Sequence, residues 1–164
     1  MCEWHLANED ATTELAQRLV ATRPIPACLY LSGPIGAGKS TLARAMLRAL
    51  GVDGAIRSPT YTLVERYPIA TQAEAWHLDL YRIAMPNELE CLGLDEECVA
   101  LWLIEWPERG AAMLPAADLW FRLSVEQNGR RLHVSAATRS GDAWLARLRT
   151  DQRLQTLGIV AADT

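Results

Sequence analysis

Apolar positions recur along this chain with two different periods, and each change of period marks an element. In residues 11–20, ATTELAQRLV, the residues Ala11, Leu15 and Leu19 share a stripe with Ala16 and Val20, which predicts an amphipathic helix capped by Asn8 or Asp10. Arg23-Pro24-Ile25-Pro26 ends it. ACLYL (27–31) is a short apolar run and predicts a buried strand. From Thr41 to Leu50 apolar groups return at Leu42, Met46 and Leu50, and Gly51 stops this second helix. SPTYTLVERY (58–67) reads as a turn leading into a β-rich stretch. WHLDLY (76–81) alternates as a strand, MPNELECLGL (85–94) reads as a short helix and loop, and ALWLIEW (100–106) is a second buried strand. LWFRLSVE (119–126) places Leu119, Phe121, Leu123 and Val125 on one face, and Asn128-Gly129 is the expected hairpin turn before RLHVSA returns. Residues 142–158 carry a helical pattern to the C-terminus. The elements predict one α/β domain over 1–164, a mixed, mostly parallel sheet flanked by helices with a C-terminal β-hairpin and helix.

Between the first strand and the second helix lies GPIGAGKSTL (33–42). Gly33, four intervening residues (Pro34, Ile35, Gly36, Ala37), then Gly38-Lys39-Ser40 form a phosphate-binding loop in the context it needs, strand before and helix after. The glycines let successive N–H groups curl around phosphate, and the helix that opens at Ser40 and Thr41 aims its positive end at the same anion. Lys39 would reach the β- and γ-phosphates and Ser40 would hold Mg²⁺ through its hydroxyl. This places the fold with the P-loop NTPases.

The remaining carboxylates supply candidates for the rest of the site. LWLIE (101–105) is an apolar strand ending in Glu105, and a carboxylate so placed is costly unless it meets a cation. Asp79 in HLDLYR (77–82) sits at a strand end and would orient water, act as base or bind magnesium through water; its structural alternative is an ion pair with Arg82. His77 shares its face and reads as a structural histidine. Thr60, in Ser58-Pro59-Thr60, lies where phosphate-binding proteins keep a γ-phosphate switch. Of the six tryptophans, Trp106 follows Glu105 directly and is the one expected beside nucleotide.

Composition narrows the class. The net charge of −4 argues against a general nucleic-acid trap, and no apolar run is long enough to span a bilayer. The acidic start MCEWHLANED is unlike a signal or transit peptide, which predicts a cytoplasmic protein. Four cysteines, none in a C-x-x-C pair, fit reduced thiols; Cys91 and Cys98 flank an acidic loop at a spacing wider than zinc sites use. Residues 74–108 hold nine acids and one base, whereas residues 118–153 hold seven arginines against four acids, which reads first as two solvated faces and, as the sharper alternative, as an acidic and a basic face for protein partners. Lys39 is the chain's sole lysine. A guanine-reading N-K-x-D motif is therefore impossible, which excludes a typical GTPase. A small-molecule kinase and a nucleotide switch without turnover stay open as alternatives.

Five motifs in order, GPIGAGKSTL, SPTYTLVERY, HLDLYRI, ELECLGLDEE and LIEWPERG, resemble the TsaE (YjeE) family over about residues 10–136. The resemblance implies the ATPase component of bacterial tRNA threonylcarbamoyladenosine synthesis, working with TsaB and TsaD and using ATP hydrolysis to reset that pair between turnovers. It implies ATP and Mg²⁺ as cofactors, tRNA as an indirect partner only, and no DNA or membrane partner. Carried across, Lys39 and Ser40 match the phosphate and magnesium ligands and Glu105 the magnesium carboxylate. Asp79 matches the acid of H-x-D-x-YR, Thr60 the switch threonine, and Thr12 a residue near adenine. Pro34-Ile35 departs from the family's usual pair, and Pro34 has no N–H to offer a phosphate. The C-terminal helix lies beyond the shared motifs and carries no assignment.

Overall fold

The computed structural model describes residues 2–70, 72–94 and 98–157. Seven strands form one mixed sheet: β1 (Cys2–Leu6), β2 (Ala27–Ser32), β3 (Val64–Ala70), β4 (Ala73–Asp79), β5 (Val99–Glu105), β6 (Leu119–Glu126) and β7 (Gly129–Ala136), in the spatial order β1-β7-β6-β2-β5-β4-β3. The centre, β6-β2-β5-β4, is parallel, and antiparallel strands close both ends. ACLYLS and VALWLIE are buried along their whole lengths, as parallel central strands covered on both faces must be.

On one face lie α1 (Glu9–Thr22), α2 (Lys39–Ala49) and α3 (Arg139–Arg149), over a core that includes Trp4, Leu15, Leu29, Met46, Phe121 and Trp144. Asn8 caps α1 by accepting from the Ala11 N–H at 2.9 Å. The opposite face of β4, β5 and β2 carries Trp76, Trp102 and Tyr30, covered by a 3₁₀ turn at Pro86–Leu92 and the chain around Leu114. The same face of β6 and β7 stays open, with Arg122 and Arg131 exposed. No helix among the described residues is long and apolar enough to cross a membrane.

Several boundaries differ from the sequence pattern. CEWHL (2–6), whose mixed polarity hid a strand, supplies β1: Cys2, Trp4 and Leu6 point inward while Glu3 and His5 alternate outward. Burial pushes the Cys2 thiol up to about 11, consistent with an unreactive reduced cysteine. The short helix and loop expected at 85–94 is a 3₁₀ helix over Pro86–Leu92. Strand β4 stops at Asp79, and β5 stops at Glu105 because Trp106 adopts a left-handed conformation with φ of 57°. The β6–β7 turn is Gln127–Asn128, and Gly129 opens β7 opposite Glu126. Gly129 has φ of 126°, and a side chain there would strike the Leu6 carbonyl. The single C-terminal helix expected over 142–158 is two helices, α3 and α4 (Gln152–Gln155), broken where the Asp151 carboxylate turns to cap α4. Gly158 lies outside the described residues, as does the 95–97 part of the Cys91–Cys98 loop.

Trp4→Ala is expected to lower the unfolding free energy by about 3–5 kcal/mol, because the indole is almost wholly buried. Urea denaturation measures this, and an unchanged midpoint would show that β1 contributes little to the core.

Candidate phosphate-loop site

Strand β2 delivers the chain to Ser32 and the loop turns at once into α2. Gly33, Gly36 and Gly38 have φ values of 134°, 79° and 101°, a left-handed range that side chains resist. Gly33 is also pressed on β6, since a Cβ there would lie 2.2 Å from the Leu123 carbonyl oxygen. The loop closes on itself through Ala37 N–H to Pro34 O at 3.2 Å, and Leu42 N–H to Gly38 O begins the helix.

Lys39 is only 4 % exposed. Its ammonium donates to Gly33 O at 2.8 Å and Pro34 O at 2.9 Å and lies 4.1 Å from the centre of the Trp106 ring. Burial pulls its pKa down, and the carboxylates of Glu105, Asp79 and Glu108 pull it back. Pro34 contributes by its carbonyl, so its missing N–H leaves this arrangement intact.

Parallel pairing aligns Leu31, Glu105 and Asp79 across the ends of β2, β5 and β4. Glu105 is 2 % exposed. Its Oε2 accepts from the Ser40 hydroxyl at 3.0 Å, and its Oε1 lies 2.8 Å from His77 Nε2. Asp79 is bound on both oxygens: Thr60 Oγ1 donates to Oδ2 at 2.8 Å and Tyr81 N–H to Oδ1 at 3.0 Å. Arg82 does not pair with Asp79 but lies over the Tyr61 ring, 4.3 Å from its centre. The hydroxyl of Ser40 and the carboxylate of Glu105 are hard oxygen donors on adjacent elements, a set that fits Mg²⁺ with phosphate and water oxygens completing the shell. Among the described residues no cluster of three or more His, Cys, Asp or Glu side chains offers an all-protein metal cage.

A cavity of about 400 Å³ opens over the loop. Gly36, Ala37, Gly38, Lys39, Ser40, Thr41, Thr12 and Glu105 line it, so these expected residues do converge. Gly33 and Pro34 instead border a shallow cleft behind the loop, and Ile35 stands at its tip, 71 % exposed. Thr60, Asp79 and Trp106 are not in the cavity wall: Trp106 lies against Lys39, Asp79 pairs with Glu105 across the strand ends, and Thr60 is hydrogen-bonded to Asp79. The wall also includes Asn8, Arg44 and Arg130, which sequence reasoning did not select. Arg130 reaches over the loop from the β6–β7 turn, its Nη2 3.4 Å from Gly36 O. Nothing local in Gly129-Arg130-Arg131 signals that approach, because it depends on how the hairpin packs. His77 did carry a signal, two residues from Asp79 on an alternating strand.

The family model described as Threonylcarbamoyl adenosine biosynthesis protein TsaE matches residues 6–133, a span that holds every residue of this site. The chain belongs to the TsaE family. It is 44 % identical over 115 residues to the tRNA threonylcarbamoyladenosine biosynthesis protein TsaE of Haemophilus influenzae, covering 69 % of this chain and 72 % of that protein. The TsaE protein of Bacillus subtilis is 32 % identical over 119 residues, covering 71 % and 73 %. Among solved structures, Bacillus subtilis YdiB shares the fold with a TM-score of 0.71 at 22 % identity, covering 91 % of this chain and 96 % of that one.

Gly33→Ala is expected to cost about 1–3 kcal/mol of stability, since the added methyl must push the loop off β6. Thermal and urea unfolding measure the loss; wild-type stability would mean that the loop is not braced by Leu123.

Proposed function

We propose that this TsaE-family chain is a Mg²⁺-dependent ATPase that serves tRNA N6-threonylcarbamoyladenosine formation by acting on a TsaB–TsaD complex and resetting it between turnovers. One observation carries the reading: the chain's sole lysine is buried at the head of α2, beside a hydroxyl and a carboxylate already paired with each other. Lys39 would exchange the Gly33 and Pro34 carbonyls for phosphate oxygens, supported by loop N–H groups and the start of α2. Ser40 and Glu105 would hold the magnesium ion, which when bound offsets the charge of the β- and γ-phosphates. Thr12 and Arg130 would flank the base and sugar.

Asp79 is the group suited to orienting the attacking water or taking its proton. Each of its oxygens already accepts one hydrogen bond, Oδ2 from the Thr60 hydroxyl, so a movement of Thr60 would free that oxygen further for water. That supports weak turnover by the chain alone. Tyr61, in the same loop as Thr60, is 80 % exposed, and a partner that grips this loop would move Thr60 with it. Stimulation by TsaB–TsaD follows from this coupling. With tRNA reached only through those partners, the acidic net charge of the subunit is no obstacle.

The test is the ATPase rate with and without purified TsaB–TsaD. Stimulation and complex formation are expected; no complex and no stimulation would return the kinase and switch readings. Lys39→Ala is expected to reduce turnover by about 100-fold or more while unfolding stays cooperative. ATP hydrolysis at the wild-type rate would overturn the assignment of Lys39. Glu105→Gln is expected to raise the magnesium concentration needed for half-maximal rate by about tenfold or more. An unchanged magnesium dependence would remove Glu105 from the metal.

A further inference from the structure

His77 stands in the interior of β4, paired to Glu65 of β3 on one side and Leu103 of β5 on the other, and is fully buried. Its Nε2 lies 2.8 Å from Glu105 Oε1, and its Nδ1 is buried with no hydrogen-bond partner. The carboxylate oxygen of Glu105 can only accept, and a proton on Nδ1 would be an unpaired buried donor, a rarer case than an idle buried acceptor. The ring proton therefore belongs on Nε2, and the imidazole donates to Glu105.

The two carboxylate oxygens of Glu105 are thus held by unlike partners. Ser40 grips Oε2 with a hydroxyl that rotates freely and can turn its lone pair toward a cation. His77 grips Oε1 with a ring locked between two paired strands. Only Oε2 is released without moving the sheet.

We propose that His77 determines the cation preference of the Ser40–Glu105 pair, an inference that rests on the Mg²⁺-dependent reading above. By occupying Oε1 it makes Glu105 a one-oxygen donor. Mg²⁺ suits that arrangement because it demands a small octahedral shell and takes single oxygens from carboxylates. Ca²⁺ takes more oxygens and commonly both from one carboxylate, a grip that His77 denies. His77 is a positioning residue: it acts through Glu105 and touches neither nucleotide nor metal.

ADP binding, followed by titration calorimetry with either Mg²⁺ or Ca²⁺ present, tests this without turnover. The wild-type chain is expected to bind ADP more tightly with Mg²⁺ than with Ca²⁺. His77→Leu removes the donor and is expected to narrow the ratio of the two affinities by about tenfold. His77→Gln, whose amide N–H can take the place of the ring Nε2–H, is expected to restore most of it. An unchanged ratio in His77→Leu overturns the proposal, and so does an equal loss in both variants, which would point to packing alone. ADP binding to the wild type that ignores both cations overturns the metal reading itself and this proposal with it. Should His77→Leu fail to fold, nitrogen NMR of the wild-type imidazole decides: a proton on Nε2 supports the donor role, and one on Nδ1 overturns it.

Discussion

A carboxylate kept almost out of water governs this structure. Glu105 ends a strand whose other residues, VALWLI, are all apolar, so its charge sits where solvation is weakest. Such a group is tolerated only with partners on both oxygens, and the sheet and α2 provide one each. The parallel register of β2, β5 and β4 then follows a functional logic as well as a packing one. It brings the end of the loop-bearing strand, the carboxylate and Asp79 to the same edge of the sheet. Ligands of open α/β sheets gather at this edge because strands there deliver side chains and helices begin there.

The antiparallel end of the sheet is equally part of the site. Leu123 on β6 backs the loop at Gly33, Arg130 on β7 reaches the carbonyl of Gly36, and Gly129 lets β7 approach the end of β1. The first turn of α1, which brings Thr12 to the cavity, follows directly from that strand. One wall of the cavity is thus built from the two ends of the matched region, brought together only by folding.

What was legible in the sequence was whatever depends on neighbouring residues. The loop, its strand and its helix are contiguous, and the central strands announce themselves as apolar runs because they are covered on both faces. Glu105 stood out as a charge closing such a run. The cap at Asn8 and the hairpin were legible too, although the turn lies one residue earlier because Gly129 serves a close approach and not the turn itself. What was hidden depends on distant packing. Trp4 and Leu6 alternate with Glu3 and His5 over a segment too short and polar to read as a strand. Arg130 looks like any other arginine of the tail until the hairpin is docked. His77 was passed over because a lone buried histidine usually has a structural partner, and here that partner is Glu105.

The bonds Lys39 makes to its own loop bear on what the cavity would admit. Its ammonium is already satisfied by two carbonyls and an aromatic face, so no ligand gains a bare cation on arrival. Binding is an exchange, and a newcomer must compete with hydrogen bonds the loop makes to itself. A neutral sugar or a single carboxylate offers the ammonium little beyond what Gly33 and Pro34 provide, while a chain of phosphates offers several charged oxygens at once. On the proposed ATPase reading the loop would therefore discriminate by charge density before it discriminates by shape, because Lys39 would give up its bonds to Gly33 and Pro34 only for several charged oxygens at once.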